Sequence, residues 1–137
     1  MLYPTYAQVH LDNIRANLEE IQRAVGLNRK ILVAVKANAY GHGSVQVSRV
    51  AQEVGCEWLG VATVPEGIRL RKAGILLEIL KFSPAHSEAM LPAVRHNLTL
   101  TVVDVEGVRQ LQDVCAKENL HAKVHLKIDT GMGRIGA

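Results

Sequence analysis

The chain has 137 residues, 48% of them hydrophobic, which suits one globular domain with a sizeable core. Its formal net charge of +3 comes from scattered lysines and arginines, without a basic run or interleaved aromatic residues, which argues against nucleic-acid binding. No apolar stretch is long enough to span a membrane, and the amino-terminal sequence MLYPTYAQVH lacks the pattern of a signal peptide. We therefore expect a cytoplasmic protein that binds neither nucleic acid nor membranes.

The first third of the chain is predicted to form a helix, a strand and a second helix. Asp12 is the predicted N-cap of the first helix, whose apolar residues recur at helical spacing until Gly26 ends it. The apolar, β-branched run at residues 31–35 is typical of a parallel strand covered on both faces, and Lys36 ends that strand. The second helix is predicted to begin at about Ser44.

The same unit then repeats along the rest of the sequence. Thr63 and Glu66 form a predicted capping box, with Pro65 in the first turn of the next helix. A further cap is predicted at Ser83-Pro84, and Pro92 should kink or interrupt the helix that follows. The remaining predicted strands cover residues 58–62, 78–82, 98–103 and 123–128, and Asp104 caps the helix between the last two.

Strands that alternate with helices indicate right-handed βα units and a parallel sheet. The sequence contains five such strands, whereas a closed barrel of the TIM type has about eight. The predicted fold is therefore α/β, a partial (β/α)8 barrel with about five of its parallel strands. On this prediction, residues 1–137 are the amino-terminal part of the barrel domain, and the other barrel units lie outside the chain.

Lys36 is the most informative single residue, because it places a cation at the end of a buried strand. An ammonium there is unfavourable unless it has a partner, or unless its pKa falls and the amine becomes a nucleophile toward an aldehyde. The alternative is a lysine whose stem packs while its amine stays in water. Just beyond it, Gly41 and Gly43 flank His42 and predict a tight turn, and Tyr40 brings a hydroxyl close to the lysine.

Two motifs together resemble those of alanine racemases. The run AVKANAYGHG, residues 34–43, is similar to the pyridoxal-phosphate lysine motif of that family, and HLKIDTGMGRIG, residues 125–136, is similar to a second motif. The resemblance implies an isomerase that interconverts L-alanine and D-alanine with pyridoxal 5'-phosphate as cofactor. It implies that Lys36 holds the cofactor as an internal aldimine and is the base on one face of the substrate, and that the Tyr40 hydroxyl bonds the cofactor phosphate.

Strand alternation places charged residues on one side of the last strand. Lys123, His125, Lys127 and Asp129 share a face that should point into the barrel, with Lys127 and Asp129 nearest the carboxyl end, where Lys36 also lies. The sequence leaves Lys127 either paired with Asp129 or solvated, whereas the resemblance implies a carbamylated Lys127 that holds Arg134. The resemblance also implies that the Arg134 guanidinium contacts the substrate carboxylate, which suits its forked geometry.

Three other patterns carry less weight. Residues 131–136 fit the dinucleotide-binding pattern G-x-G-x-x-G, but the preceding strand has a charged face and no helix follows. His121 and His125 straddle the start of a strand and lack a third ligand, so we expect no metal site. Cys56 and Cys115 lack CxxC spacing and are predicted to be packing residues in a reducing compartment.

The resemblance further implies a homodimer, in which the second base is a tyrosine from a carboxyl-terminal β domain of the partner subunit. That domain and the last barrel strands lie outside the sequence, so we expect activity of the full-length protein and not of residues 1–137 alone. Two alternatives are a barrel protein that binds pyridoxal phosphate without catalysis, and an inactive fragment whose exposed strand edges drive association.

Overall fold

The computed structural model describes residues 5–26 and 28–137, which form a parallel β-sheet with helices between successive strands. The strands are β1 (Leu32–Ala34), β2 (Trp58–Val61), β3 (Glu78–Lys81), β4 (Thr99–Val102) and β5 (Val124–Leu126). The helices are α1 (Leu11–Val25), the short α2 (Lys36–Tyr40), α3 (Ser44–Val54), α4 (Val64–Lys72), α5 (Ser87–Arg95) and α6 (Val105–Glu118). The strands lie side by side in the order β1-β2-β3-β4-β5, which confirms the predicted partial (β/α)8 fold.

The strand register divides the sheet into two faces, because register partners of a parallel sheet point to the same side. One face, which we call the open face, points away from the helices. It carries Ala34, Gly60, Leu80 and Thr99, which are register partners in turn. The helix face carries Val33, Leu59 and Ile79, again partners in turn, together with the neighbouring pair Lys81 and Leu100. His125 pairs with Thr101 and therefore lies on the open face, as strand alternation predicted.

The hydrophobic core lies between the helix face and the helices. Leu59, Ile79 and Leu100 are at most 2% exposed, and they belong to one cluster with Leu70 of α4 and Met90 of α5. Burying a side chain of this size stabilises the fold by roughly 1.5–3 kcal/mol. No helix among residues 5–26 and 28–137 has the length and apolar character needed to cross a membrane.

Two predicted helix starts are confirmed. In the capping box of α4, the Thr63 hydroxyl accepts from the N–H of Glu66, and the Glu66 side chain accepts from the N–H of Thr63. Asp104 caps α6 by accepting a hydrogen bond of 2.7 Å from the N–H of Gly107. Such caps satisfy backbone donors that have no partner within the helix.

Two other predicted caps are wrong. The helix α1 begins at Leu11, so Asp12 lies in its first turn and not at its N-cap. The helix α5 begins only at Ser87, and the Ser83-Pro84 pair lies in the loop before it. This helix continues through Pro92, the sixth of its nine residues, so the predicted interruption does not occur. The proline gives up only the one hydrogen bond that an N–H there would have donated to the carbonyl of Glu88.

A buried lysine explains why Ser83 and Pro84 remain in the loop. Lys81, on the helix face, is 7% exposed, and burial lowers the pKa of its amine. Its ammonium donates to the carbonyl of Ser83 at 2.7 Å, to the hydroxyl of Ser83 at 3.0 Å and to the carbonyl of Pro84 at 2.9 Å. These bonds satisfy the buried charge and hold both residues outside the helix.

Candidate active site

The strand β1 ends earlier than predicted, and Lys36 begins α2, which we call the Lys36 turn. The turn is left-handed: Ala37, Asn38 and Ala39 have φ values of 49°, 56° and 53°, and Tyr40 has a φ of 53°. For a residue with a side chain, this conformation costs roughly 1–2 kcal/mol. Consecutive residues of this kind persist only where the surrounding structure holds them.

The carboxyl end of the Lys36 turn is tied to α3. Gly41 and Gly43 both have a φ of 91°, as the predicted tight turn requires. The N–H of Gly43 donates to the carbonyl of Asn38 at 2.9 Å, and the side-chain Oδ1 of Asn38 accepts from the N–H of Ser44 at 3.0 Å. Asn38, which sequence patterns did not single out, therefore connects the turn to the first residue of the helix.

The amino end of the Lys36 turn is held by a carboxylate from the first turn of α4. The N–H of Ala37 donates to Oε1 of Glu66 at 2.7 Å. The other oxygen, Oε2, accepts from the N–H groups of Ala62 at 2.8 Å and Thr63 at 3.0 Å. Partial burial alone would raise the pKa of Glu66, but these three N–H groups lower it below its ordinary value. The carboxylate is therefore charged at neutral pH.

The amine of Lys36 has two aromatic neighbours. Its Nζ lies 5.9 Å from the ring centroid of Tyr40 and 6.0 Å from that of Phe82, near the outer limit for attraction between an ammonium and a ring face. Lys36 is half-buried, and Tyr40 is 61% exposed. Phe82 is a site residue that the sequence assigned only to the end of a strand.

Gly60 makes room for the ring of Phe82. A Cβ atom on Gly60 would lie 1.9 Å from Cζ of Phe82, far inside any contact distance. Gly60 is buried in β2 and is the register partner of Ala34 in β1. The ring can therefore lie over the strand only because residue 60 has no side chain, and the pair forms a flat wall near Lys36.

The second motif folds around Asp129 to form the segment that we call the Arg134 loop, residues 129–137. Oδ1 of Asp129 accepts from the N–H groups of Gly131 at 2.9 Å and Gly133 at 3.0 Å, and Oδ2 accepts from that of Arg134 at 2.8 Å. The bonds from Gly133, Gly131 and Arg134 lower the pKa of Asp129 to about 2. The Arg134 side chain is exposed, on a backbone that these bonds fix in place.

Lys127 is half-buried, and both of its backbone groups are bonded. Its N–H donates to the carbonyl of Val102 at 2.9 Å, and its carbonyl accepts from the N–H of Ala137 at 2.9 Å. Across the described ranges 5–26 and 28–137, no ion pair joins Lys127 to Asp129. The Asp129 carboxylate instead bonds backbone N–H groups, so the pairing that the sequence left open is absent.

The predicted site residues form two groups. Lys36 and Tyr40 lie together with Phe82, whereas Lys127 and Arg134 follow β5, at the opposite edge of the sheet from β1. Both groups follow the carboxyl ends of parallel strands, where the active sites of barrel enzymes lie. The amine of Lys36 can bind an aldehyde, and the exposed Arg134 can bind a carboxylate through its guanidinium.

Comparison with known proteins bears on both groups. The family described as alanine racemase, N-terminal domain, matches residues 9–137. The chain belongs to the alanine racemase family. It is 43% identical over 133 residues to alanine racemase 1 of Caldanaerobacter subterraneus subsp. tengcongensis, covering 97% of this chain and 34% of that relative. It is 46% identical over 134 residues to the alanine racemase of Cutibacterium acnes, covering 97% of this chain and 36% of the relative.

Solved structures of alanine racemases have the same fold. That of Clostridium difficile 630 matches with a TM-score of 0.95 and 38% identity, covering 99% of this chain and 36% of that chain. The Bacillus anthracis enzyme with bound L-Ala-P matches with a TM-score of 0.87 and 35% identity, covering 98% of this chain and 36% of that chain. The chain thus spans about a third of the length of the alanine racemases that it matches.

Proposed function

We propose that the complete protein interconverts L-alanine and D-alanine with pyridoxal 5'-phosphate as cofactor. The observation that carries this proposal is the setting of Lys36, a half-buried residue that follows β1 and whose amine has the rings of Tyr40 and Phe82 as neighbours. An amine in such a setting suits a covalent bond to an aldehyde. Membership of the alanine racemase family supports the choice of substrate and reaction.

The residues around Lys36 suit this cofactor. The ring of Phe82 and the bare backbone of Gly60 offer a flat, apolar wall for a planar ring. The exposed Tyr40 can present its hydroxyl to a phosphate. When bound, pyridoxal phosphate supplies an aldehyde that combines with amines and a conjugated ring that acidifies the α-proton of an amino acid.

Four residues of the chain have roles in this proposal. Lys36 holds the cofactor and moves the α-proton on one face of the substrate, and Tyr40 donates a hydrogen bond to the cofactor phosphate. Arg134 binds the substrate carboxylate through its guanidinium fork. A carbamylated Lys127 would be an anion that orients Arg134. The bonds of Asp129 to the backbone are in keeping with this last role, because they occupy the nearest carboxylate and leave the orientation of Arg134 to another group.

We further propose a cytoplasmic homodimer, in which the partner subunit supplies the second base. Racemisation requires proton transfer on both faces of the α-carbon, and Lys36 can serve only one face. Cys56 and Cys115 are free and buried, which is in keeping with a reducing compartment.

Borohydride reduction of the complete, cofactor-loaded protein, followed by peptide mapping, tests the proposal. We expect the pyridoxyl label on Lys36, and a loss of D-alanine formation of at least about 10³-fold in Lys36→Ala. Lys72→Ala, which changes an exposed lysine of α4, is the matched control and should keep both label and activity. A label on another lysine, with Lys36 unlabelled, would contradict the proposal.

A further inference from the structure

The first N–H of the left-handed segment has its partner outside the turn. The N–H of Ala37 donates to Glu66 at 2.7 Å, whereas the N–H of Gly41 bonds back to the carbonyl of Ala37 at 3.2 Å. The conformation at Ala37, with φ 49° and ψ 47°, is disfavoured for any residue with a side chain. The first left-handed residue, Ala37, is therefore held in place by one side chain, that of Glu66, from another βα unit.

The carboxylate of Glu66 is itself fixed in place. Its Oε2 accepts from the N–H groups of Ala62 and Thr63, and the residue lies in the first turn of α4. A cap of this kind needs only one carboxylate oxygen. The second oxygen, Oε1, is directed at Ala37 and can leave it only if the bonds on the other side are disturbed.

We propose that Glu66 is a positioning residue for Lys36. By holding the amide of Ala37, it fixes the peptide unit that follows the lysine, and so the direction in which the lysine side chain leaves the backbone. The inference rests on the proposed function, in which Lys36 holds the cofactor. Glu66 then has a role beyond capping α4, because its side chain joins the first two βα loops at the carboxyl end of the sheet.

Glu66→Gln separates these two tasks. A glutamine has one acceptor oxygen, and the two N–H groups of Ala62 and Thr63 compete for it with the single N–H of Ala37. The oxygen should stay with the pair, so that the new NH₂ group faces the N–H of Ala37, donor against donor. Thr63→Ala is the matched control, because it removes the hydroxyl of the capping box and leaves the Glu66 carboxylate with Ala37.

Amide hydrogen exchange of the complete protein without cofactor gives a readout that does not depend on activity. We expect the Ala37 amide to exchange at least about tenfold faster in Glu66→Gln than in the unaltered protein, and at an unchanged rate in Thr63→Ala. Glu66→Asp, which keeps the charge but has a shorter reach, should show the same gain at Ala37 if the glutamine variant does not fold. An unchanged rate in the Glu66 variants, or an equal gain in Thr63→Ala, would overturn the inference.

The cofactor-loaded protein distinguishes this inference from the proposed function. In Glu66→Gln we expect kcat for D-alanine formation to fall about ten- to hundredfold, with a smaller change in KM for alanine, because the lysine is misplaced. Borohydride should still label Lys36. A label absent from Lys36 in the unaltered protein would contradict the proposed function alone, whereas unaltered exchange at Ala37 would contradict the role of Glu66 alone.

Discussion

The Lys36 turn and the Arg134 loop lie at opposite edges of the sheet, and each is organised by one carboxylate that accepts three backbone N–H groups. In the Lys36 turn the carboxylate belongs to Glu66, which comes from a different βα unit. In the Arg134 loop it belongs to Asp129, which is part of the loop itself. The lysine is therefore placed by a contact between distant parts of the chain, and the arginine by its own neighbours.

The two segments also differ in the backbone that they hold. The Lys36 turn has residues with side chains at positive φ, whereas the Arg134 loop uses Gly131, with φ 127°, and Gly133, with φ 67°. Glycine adopts such values without steric strain. The position of the lysine therefore depends on a contact from another βα unit, whereas the position of the arginine depends on hydrogen bonds within its own loop.

A change to the arginine itself should have the largest effect within the Arg134 loop. In Arg134→Lys we expect kcat/KM for alanine in the complete protein to fall about ten- to hundredfold, with cofactor retention unchanged, because a point charge cannot replace a guanidinium fork on an otherwise intact loop. Racemisation kinetics and cofactor absorbance provide the measurement. Arg109→Lys, on an exposed position of α6, is the control. Equal losses of cofactor and activity would argue against binding of the substrate carboxylate.

Gly60→Ala tests the packing beside the Lys36 turn. A methyl group at this position would collide with Phe82, so we expect the free energy of unfolding to fall by about 1–3 kcal/mol. Urea unfolding provides the measurement. The double variant Gly60→Ala/Phe82→Leu should recover part of the loss, since a smaller side chain relieves the collision. If the double variant recovers nothing, the collision is not the cause.

A pair of exchanges between glycine and alanine tests the difference in backbone strain directly. Ala37→Gly should raise the free energy of unfolding by up to about 1 kcal/mol, because it relieves a left-handed residue. Gly133→Ala should lower it by about 1 kcal/mol, since its Cβ has space but its φ is positive. Ala16→Gly, at an exposed position of α1, is the control and should destabilise by about 1 kcal/mol. If Ala37→Gly behaves like Ala16→Gly, the Lys36 turn is not strained.

Acid should lower the stability that the Arg134 loop contributes, and this effect should be smaller than those of the substitutions above. Because folding lowers the pKa of Asp129 to about 2, its carboxylate contributes stability above the pKa of the unfolded chain and loses it as the pH falls toward 2. The difference in unfolding free energy between the unaltered protein and Asp129→Asn should be constant above about pH 5 and shrink below about pH 4. Denaturant unfolding across this range provides the measurement, and a pH-independent difference would exclude a role for the charge.

Local patterns predicted the repeating units of the fold because those patterns are set by local physics. Apolar periodicity located the helices and strands. The pairing of Thr63 with Glu66 and the cap at Asp104 could be predicted from the sequence because each involves residues only three positions apart. Strand alternation also placed His125 on the open face. The predicted cap at Asp12 was wrong because α1 begins at Leu11 with no side-chain cap. The predicted cap at Ser83-Pro84 was wrong because these residues bond the buried ammonium of Lys81 in the loop before α5.

The candidate site was less predictable, since its geometry depends on residues that are distant in sequence. Alanine favours right-handed helices, so in the run KANAY only Asn38 is of a type that readily adopts a left-handed conformation. The bond from Ala37 to Glu66 and the fit of Phe82 over Gly60 become visible only when the strands lie side by side. The roles of Lys36, Tyr40, Lys127 and Arg134 stay predictions that rest on their motifs.

The buried amine of Lys81 has a consequence for the opposite side of the sheet. The amine donates to the carbonyls of Ser83 and Pro84, so Phe82 lies between Lys81 and the two loop residues that Lys81 holds. The N–H of Phe82 also donates to the carbonyl of Val61 at 3.0 Å. The backbone of Phe82 is thus held on both sides, which fixes the point from which its ring extends toward Lys36. Lys81 lies on the face of the sheet that the helices cover, and it nevertheless helps to place an aromatic ring beside Lys36 on the opposite face.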